Sequence, residues 1–416
     1  QDAQWAGGLV DRQRLITFDM GGTSADIGLV TEDGVNVASS RDTHIADYPL
    51  LVPMFDIETI GAGGGSIAHL DAAGAFKVGP RSAGAVPGPA CYGNGGEDPT
   101  ITDAHLVLGR LDPDRFLGGD MKLDLARSEA VIDALAEQLG MDRLEAAAGV
   151  LKLANANMAQ TIRSITIERG RDPRDFALVA FGGAGPLHAA ELAQLLGVPE
   201  VLVPPHPGIT SATGLLTSDL RYDSMRTVFA VEGLVDAAAL NGQFEELAAE
   251  LVERLRRDGA ADDQVEVERY LECRYAGQGY ELRIPVGPEG YGDATLEAFH
   301  RVHEAEYGRA FADPIEIVNL RVIATGPRPK LQRVEVGSGT LEEATVATTT
   351  SVWETEAGLA ELPTRHLQRE LLPLDEPIPG PAIVHQRDTT IVVPPGWTAT
   401  AKQTGPLILT AHGQQS

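Results

Sequence analysis

Across 416 residues the chain carries 43% hydrophobic and 22% charged side chains, enough to bury ordinary cores in two or three globular domains. A formal net charge of −27 provides no basic excess to displace counterions, so neither nucleic acid nor an anionic membrane surface is an expected partner. Cys91 and Cys273 are too few for a disulfide scaffold, no apolar run approaches the roughly 20 residues of a membrane span, and no signal peptide is visible, so a reducing cytoplasm is the expected setting.

The chain starts at Gln1 and enters a hydrophobic run at Arg14, which reads as a fragment of something longer. Three short β runs come first, Arg14–Phe18, Ala25–Val30 and Val35–Ser39, separated by turns at Asp19–Ser24 and Thr31–Gly34. From Gly61 to Pro99 the chain is dense in Gly, Pro and Ala, but Ile67, Phe76, Val78, Val86 and Tyr92 are interleaved through it. An ordered, functional loop is expected there rather than a linker. Two helices follow, Ser128–Leu139 and Leu144–Arg169; in the second, Leu151, Met158, Ile162 and Ile165 share one face, and Gly170 is placed to cap it. A βαβ unit comes next: strand Phe176–Phe181, turn Gly182–Gly185, helix Pro186–Leu196 and strand Val201–Val203. The texture then changes. Leu234–Asp258 reads as a helix pair, followed by strands Glu266–Tyr275 and Glu281–Pro285, helix Thr295–Tyr307, proline-rich turns near 327–330 and 372–381, and strand Ile391–Val393. The division expected is an α/β domain over 1–225 and a separate β-rich α+β domain over 226–416.

The segment with the clearest chemistry is Asp19-Met20-Gly21-Gly22-Thr23-Ser24-Ala25-Asp26. An Asp at the carboxyl end of a strand, followed by two glycines and two hydroxyls, lets backbone N–H groups approach a phosphate closely. Asp19 would hold Mg²⁺ through water, because that ion gives up its hydration shell reluctantly. The competing reading is a tight β-turn whose Asp and Thr satisfy local backbone. A second glycine turn, Phe181-Gly182-Gly183-Ala184-Gly185-Pro186, sits between strand and helix, where a ligand can meet a helix amino end. No dinucleotide G-x-G-x-x-G or P-loop pattern is present. The two turns together favour half of an actin/hexokinase-like nucleotide site over either turn alone.

Several other residues carry both a functional and a structural reading. Asp103, after Thr102, reads from the residues alone as part of a helix start capped by Thr102. His300, His303 and Glu306 share a helix face that could ligate a metal but suits packing better. His188 suits a hydrogen-bonded structural role more than that of a general base, and Cys91 has no basic partner to activate it.

The segments FDMGGTSADIGLV, GAGGGSIAHLD, GPRSAGAVPGPACYG, PTITDAHLVLGRLDP, FGGAGPLHAAELA and VPPHPGITSATGLL resemble, in order, the central domain of the hydantoinase A / 5-oxoprolinase family. RYAGQGYEL, VNLRV and GPAIVHQRDTTIVVPPGW, with the helix containing FHRVHEAEYG, resemble its C-terminal domain. The resemblance implies half of an actin/hexokinase/Hsp70-like (RNase H-like) ATPase core. It implies ATP and Mg²⁺ as cofactors and a second, hydantoinase B-like subunit as partner. On it, Asp19, Gly21, Gly22, Thr23 and Ser24 fall on a phosphate-binding motif, and Gly182, Gly183 and Gly185 on the adenosine side. Asp103 becomes a plausible catalytic companion to Asp19. The activity implied is ATP-dependent opening of a cyclic amide (a hydantoin, N-methylhydantoin or 5-oxoproline). The beta-type subunit of an ATP-dependent ketone carboxylase is an alternative, and so is a nucleotide-binding or docking module. The family begins with a further D-x-G-G-T type motif on an upstream domain, which this sequence lacks, so turnover is expected to need that domain.

Overall fold

In the computed structural model, residues 2–32, 34–35, 37–38, 44–45, 48–49, 54–261, 264–327 and 339–412 are described. A short helix, α1 (Asp2–Gly8), precedes strands β1 (Leu15–Met20) and β2 (Ala25–Thr31). These two pair antiparallel, with Leu15 opposite Val30 and Met20 opposite Ala25. The first strand therefore runs two residues further than the sequence suggests, and Asp19 lies inside it rather than at the head of the turn. Of the expected third strand, Gly34–Val35 pairs with β2; positions 36 and 39 lie outside the described residues, as do 328–330 of the expected proline-rich turn.

Strand β3 (Ile57–Ile60) also adds to β2. The glycine-rich stretch is ordered: β4 (Ser66–Leu70) and β5 (Phe76–Ser82) pair antiparallel within it. Three helices follow, α2 (Ile101–Val107), α3 (Leu125–Leu139) and α4 (Arg143–Ile165). An Asp142/Glu145 capping box starts α4, and its buried stripe includes Leu151, Met158, Ile162 and Ile165. The helix stops at Ile165. A 3₁₀ turn at Ile167–Arg169 intervenes before Gly170, whose φ of 74° closes that turn.

The βαβ unit forms as expected: β6 (Ala177–Phe181), α5 (Gly185–Leu196) and β7 (Glu200–Val203), followed by helix α6 (Thr210–Thr217). Every residue of β6 is buried, which suits a central parallel strand. It runs parallel to β1 on one side, with Asp19 opposite Phe181, and parallel to β7 on the other.

Residues Leu216–Leu331 form a compact unit of their own. It contains β8 (Leu220–Val231), α7 (Ala237–Arg257), β9 (Glu266–Tyr275), β10 (Leu282–Val286), α8 (Asp293–Tyr307) and β11 (Ile315–Gly326), with the antiparallel sheet ordered β8-β11-β9-β10. The expected helix pair over Leu234–Asp258 is one helix. Leu240, Phe244, Leu247, Leu251 and Leu255 make a single buried stripe along it, and Gly242 is tolerated inside.

Gln332–Ser416 group with the first unit, Gln1–Leu215. Strands β12 (Thr345–Thr355), β13 (Gly358–Gln368), β14 (Pro377–Pro379), β15 (Ala382–Gln386), β16 (Thr389–Val393), β17 (Trp397–Ala401) and β18 (Leu407–Ala411) follow in order. By contact, Gln332–Ser416 cluster with the first unit and apart from Leu216–Leu331. The physical reason is β18, which pairs antiparallel with β7 and extends the nine-stranded sheet to β14-β17-β18-β7-β6-β1-β2 and Gly34–Val35, with β3 also on β2. Strands β12, β13, β15 and β16 make a second four-stranded sheet. The fold is α/β with β-rich additions, as the sequence predicts. No described helix is long and apolar enough to cross a membrane.

Candidate functional site

Strands β1 and β6 are parallel neighbours, so the Gly21–Ser24 turn and the Gly182–Ala184 turn lie side by side at their carboxyl ends. This is the end of an open α/β sheet where ligands bind. The turns are also bonded to each other: the Ala184 N–H donates to the Met20 carbonyl at 2.9 Å. Gly182 must be glycine. Its φ is +79°, and a Cβ there would stand 2.4 Å from the Met20 oxygen and 2.5 Å from the Asp19 carboxylate.

Gly21 and Gly22 differ from Gly182 in a way that bears on function. Neither has a positive φ, and a Cβ built on either meets nothing within 4 Å. The fold itself does not demand glycine at these positions, and the space in front of them is open. Among the described residues, nothing accepts from the backbone N–H groups of Gly22 and Thr23. Gly183, exposed on the second turn, is equally free of crowding: its virtual Cβ comes no nearer than 3.8 Å to the Asp388 carbonyl.

The glycine-rich loop supports the first turn from behind. Gly64 and Gly65 N–H groups donate to the carbonyls of Gly21 (3.0 Å) and Gly22 (2.7 Å), and a Cβ on Gly63 would collide with Thr23 N at 2.4 Å. Thr102 holds the loop to α2, donating from N–H and hydroxyl to the Gly64 carbonyl at 2.9 and 2.8 Å.

Asp19 is half-buried at the centre of this arrangement. Burial pushes its pKa up; the Ser211 hydroxyl, donating to Oδ2 at 2.9 Å, offsets part of the rise, and the neighbouring Asp26 carboxylate adds to it. A carboxylate withdrawn from water beside a second one is a fitting place for a cation. Two further groups complete the rim. The Asp388 carboxylate, in the two-residue turn between β15 and β16, accepts from the Gly208 N–H at 2.8 Å. The Thr389 hydroxyl donates to the Gly183 carbonyl at 3.1 Å. Ser211 reaches the site from the start of α6, while Asp388 and Thr389 reach it only because β15 and β16 return to the first unit.

The structure places Asp103 away from any ligand-facing surface. It is fully buried, and its two oxygens accept from the N–H groups of Ala90, Cys91 and Thr100 and from the hydroxyls of Thr100 and Ser128. It is the third helical residue of α2, in a capping box with Thr100, so the cap is Thr100 and not Thr102. Its work is to fold loop 90–91 onto the helix that supports Gly64. Cys91 is buried beside it, and burial raises its thiol pKa, which makes it inert.

His188 is buried, its Nδ1 2.7 Å from Asn155 Oδ1 and its Nε2 3.2 Å from His105 Nε2. Desolvation lowers its pKa to about 3, so it stays neutral and structural. His300 lies 2.6 Å from the Tyr275 hydroxyl, and His303 lies between the Arg309 carbonyl and Gln278 in an aromatic cluster with Tyr275 and Phe311. Both histidines serve packing.

Comparison with known proteins bears on the whole chain. The hydantoinase/oxoprolinase family profile matches residues 3–224, and that of the hydantoinase/oxoprolinase C-terminal domain matches 232–405. The alpha subunit of caprolactamase from Pseudomonas jessenii is 38% identical over 92% of this chain and 56% of its own length. 5-Oxoprolinase 1 of Arabidopsis thaliana is 34% identical over 93% of this chain and 32% of its own. The solved nucleotide-free structure of acetone carboxylase, an enzyme of ATP-dependent acetone carboxylation, superposes with a TM-score of 0.85 at 28% identity. That match covers 99% of this chain and 60% of that one. The chain thus spans between about a third and three-fifths of these relatives' lengths.

Proposed function

The chain belongs to the hydantoinase/oxoprolinase family, and on that premise we propose that it contributes the Asp19 half of a nucleotide site to an enzyme that opens cyclic amides at the expense of ATP. The observation that carries this reading is the pair of adjoining turns with glycines the fold does not require at Gly21, Gly22 and Gly183. A glycine where there is room for a side chain and no backbone strain fits a ligand that must come close to the backbone.

When bound, ATP with Mg²⁺ would supply a phosphoryl group to the amide oxygen, turning a poor electrophile into one that water can attack. This chain's residues have simpler tasks. Asp19, at the carboxyl end of β1, would hold the cation. The Gly22 and Thr23 N–H groups, with the Thr23 and Ser24 hydroxyls, donate to phosphoryl oxygens and stabilise charge as it shifts. Gly182, Gly183 and Gly185 form the adenosine side, with Gly182 fixing the turn, Gly183 leaving its face open and Gly185 starting α5. Ser211 orients the Asp19 carboxylate. Asp103 acts only by folding loop 90–91 onto α2, the helix whose Thr102 holds Gly64.

The substrate class proposed is a hydantoin, N-methylhydantoin, 5-oxoproline or similar lactam, and the setting a cytoplasmic enzyme with a second, hydantoinase B-like subunit. The relatives that are themselves subunits support that partner. A second reading, the beta-type subunit of an ATP-dependent ketone carboxylase, is favoured by the likeness to acetone carboxylase. The test is ADP release by the assembled enzyme. Stimulation by lactams or hydantoins without bicarbonate supports amide opening; stimulation by a ketone only with bicarbonate supports carboxylation. ADP release that neither substrate class stimulates, or that survives Asp19→Ala, would overturn both.

A further inference from the structure

Behind the turn that carries Asp388, three donor groups converge that the nucleotide reading leaves unused. His366 on β13 and His385 on β15 project from parallel neighbours whose register sets His366 opposite Ile383 and His385 opposite Gln368. That two-residue offset puts both imidazoles on one face. His366 Nδ1 lies 2.8 Å from His385 Nε2, and the rings stack with centroids 5.0 Å apart. Asp112, in the loop after α2, brings Oδ2 to 3.8 Å from the same Nδ1. One ligand atom from each residue thus lies within 4.8 Å of the other two. Both histidines are buried, at 2% and 5% exposure, and Asp112 is partly so.

We propose that Asp112, His366 and His385 form a binding site for a divalent transition ion of the zinc class, with water in the fourth position. Two imidazoles and a carboxylate around an open position are a donor set that suits Zn²⁺. The surroundings prepare the ligands. The Thr349 hydroxyl sits 2.7 Å from His366 Nε2 and can accept its N–H, leaving the Nδ1 lone pair aimed into the cluster. Asp112 is oriented by the Asp114 N–H, 2.9 Å from Oδ1. Burial keeps both imidazoles neutral at pH 7, lowering the His385 pKa to about 4.

Without the ion, one nitrogen–nitrogen hydrogen bond joins the rings. With it, His385 carries its single proton on Nδ1 instead, so the pair need release no proton. Zn–N bonds of about 2.0–2.1 Å at a tetrahedral angle require the two nitrogens to part by about half an ångström. Arg115 opposes binding, since its Nε lies 3.1 Å from the Asp112 oxygen the ion would use; its side chain is 40% exposed and free to swing away. An ion here would fasten the Asp112 loop to β13 and β15, the strand leading into the turn of Asp388. The inference does not depend on the nucleotide reading.

The test is titration of the chelator-stripped chain with Zn²⁺ by calorimetry and with Co²⁺ by visible absorption, in an Asp19→Ala background so that the nucleotide-site carboxylate does not contribute. One ion per chain is expected, with the absorption of a four-coordinate Co²⁺ site. His385→Ala should abolish binding, and Thr349→Val should weaken it about 10- to 100-fold. Arg115→Ala should tighten binding several-fold, which a cluster with only a packing role would not do. Binding unchanged in His385→Ala, or no stoichiometric ion in either the Asp19→Ala chain or its Arg115→Ala derivative, would reduce the cluster to a histidine–histidine hydrogen bond and overturn the proposal.

Discussion

Burial withdraws Asp19 from water and raises its pKa, with Ser211 offsetting part of the rise and Asp26 adding to it. A carboxyl group whose folded pKa exceeds its unfolded value holds its proton more tightly in the folded chain. Stability therefore declines as pH rises from the ordinary carboxylate value through the raised one, and the loss persists at neutral pH. Asp19→Asn keeps the shape and the Ser211 hydrogen bond while removing the buried charge. The variant should melt at a higher temperature than the wild type near pH 7, with the difference closing below about pH 4; thermal unfolding across that range checks it. The glycines give a second prediction. Gly22→Ala has room and should leave the melting temperature nearly unchanged while weakening nucleotide binding. Gly182→Ala meets a positive φ and two oxygens and should lower the melting temperature itself. At this scale the sequence was legible where chemistry is local. Asp19 and its glycines declare themselves because a strand end, a turn and two hydroxyls are contiguous. Ser211 and Asp388 could not be found that way, since their relation to the turns depends on how distant segments fold back. Asp103 was assigned to the cleft on resemblance, but the five donors around it are visible only in three dimensions.

Among the elements, a shared apolar core and the pairing of β18 with β7 attach the C-terminal strands to the first unit, and a buried arginine adds polar contacts at the seam. Arg369 is buried between them, donating to Gln386 Oε1 at 2.7 Å and to the carbonyls of Val203 at 3.0 Å and Gly405 at 3.2 Å. Burial lowers its pKa to about 10, so it remains charged at pH 7. Gln386 in turn donates to the Pro205 carbonyl at 2.7 Å. Arg369→Ala removes the donor from two buried carbonyls and from the partly buried Gln386 Oε1 and should destabilise the chain by about 2–3 kcal/mol in urea unfolding. A loss under about 0.5 kcal/mol, typical of surface changes, would contradict this assignment. The helices and the βαβ unit were legible because hydrophobic period and caps are local signals. The role of β18 was not: an alternating strand does not say which edge it will join, and here it joins β7. That pairing makes the first unit discontinuous in sequence, where composition suggested a single division near 225.

At the scale of the whole molecule, a hydantoinase/oxoprolinase-family chain with an α/β core sets two adjoining turns at one end of its sheet, and the proposed reaction runs through the nucleotide they would hold. The chain spans between about a third and three-fifths of the lengths of the relatives it matches, and nucleotide binding at the Asp19 turn is a property this chain can be asked about directly. The most direct test is calorimetric titration of the chain with Mg-ATP beside Asp19→Ala. The wild type should bind saturably in a manner that needs Mg²⁺, and the variant should lose that binding with its fold intact by circular dichroism. Binding of equal strength in both proteins would contradict the assignment of the Asp19 turn as a nucleotide half-site.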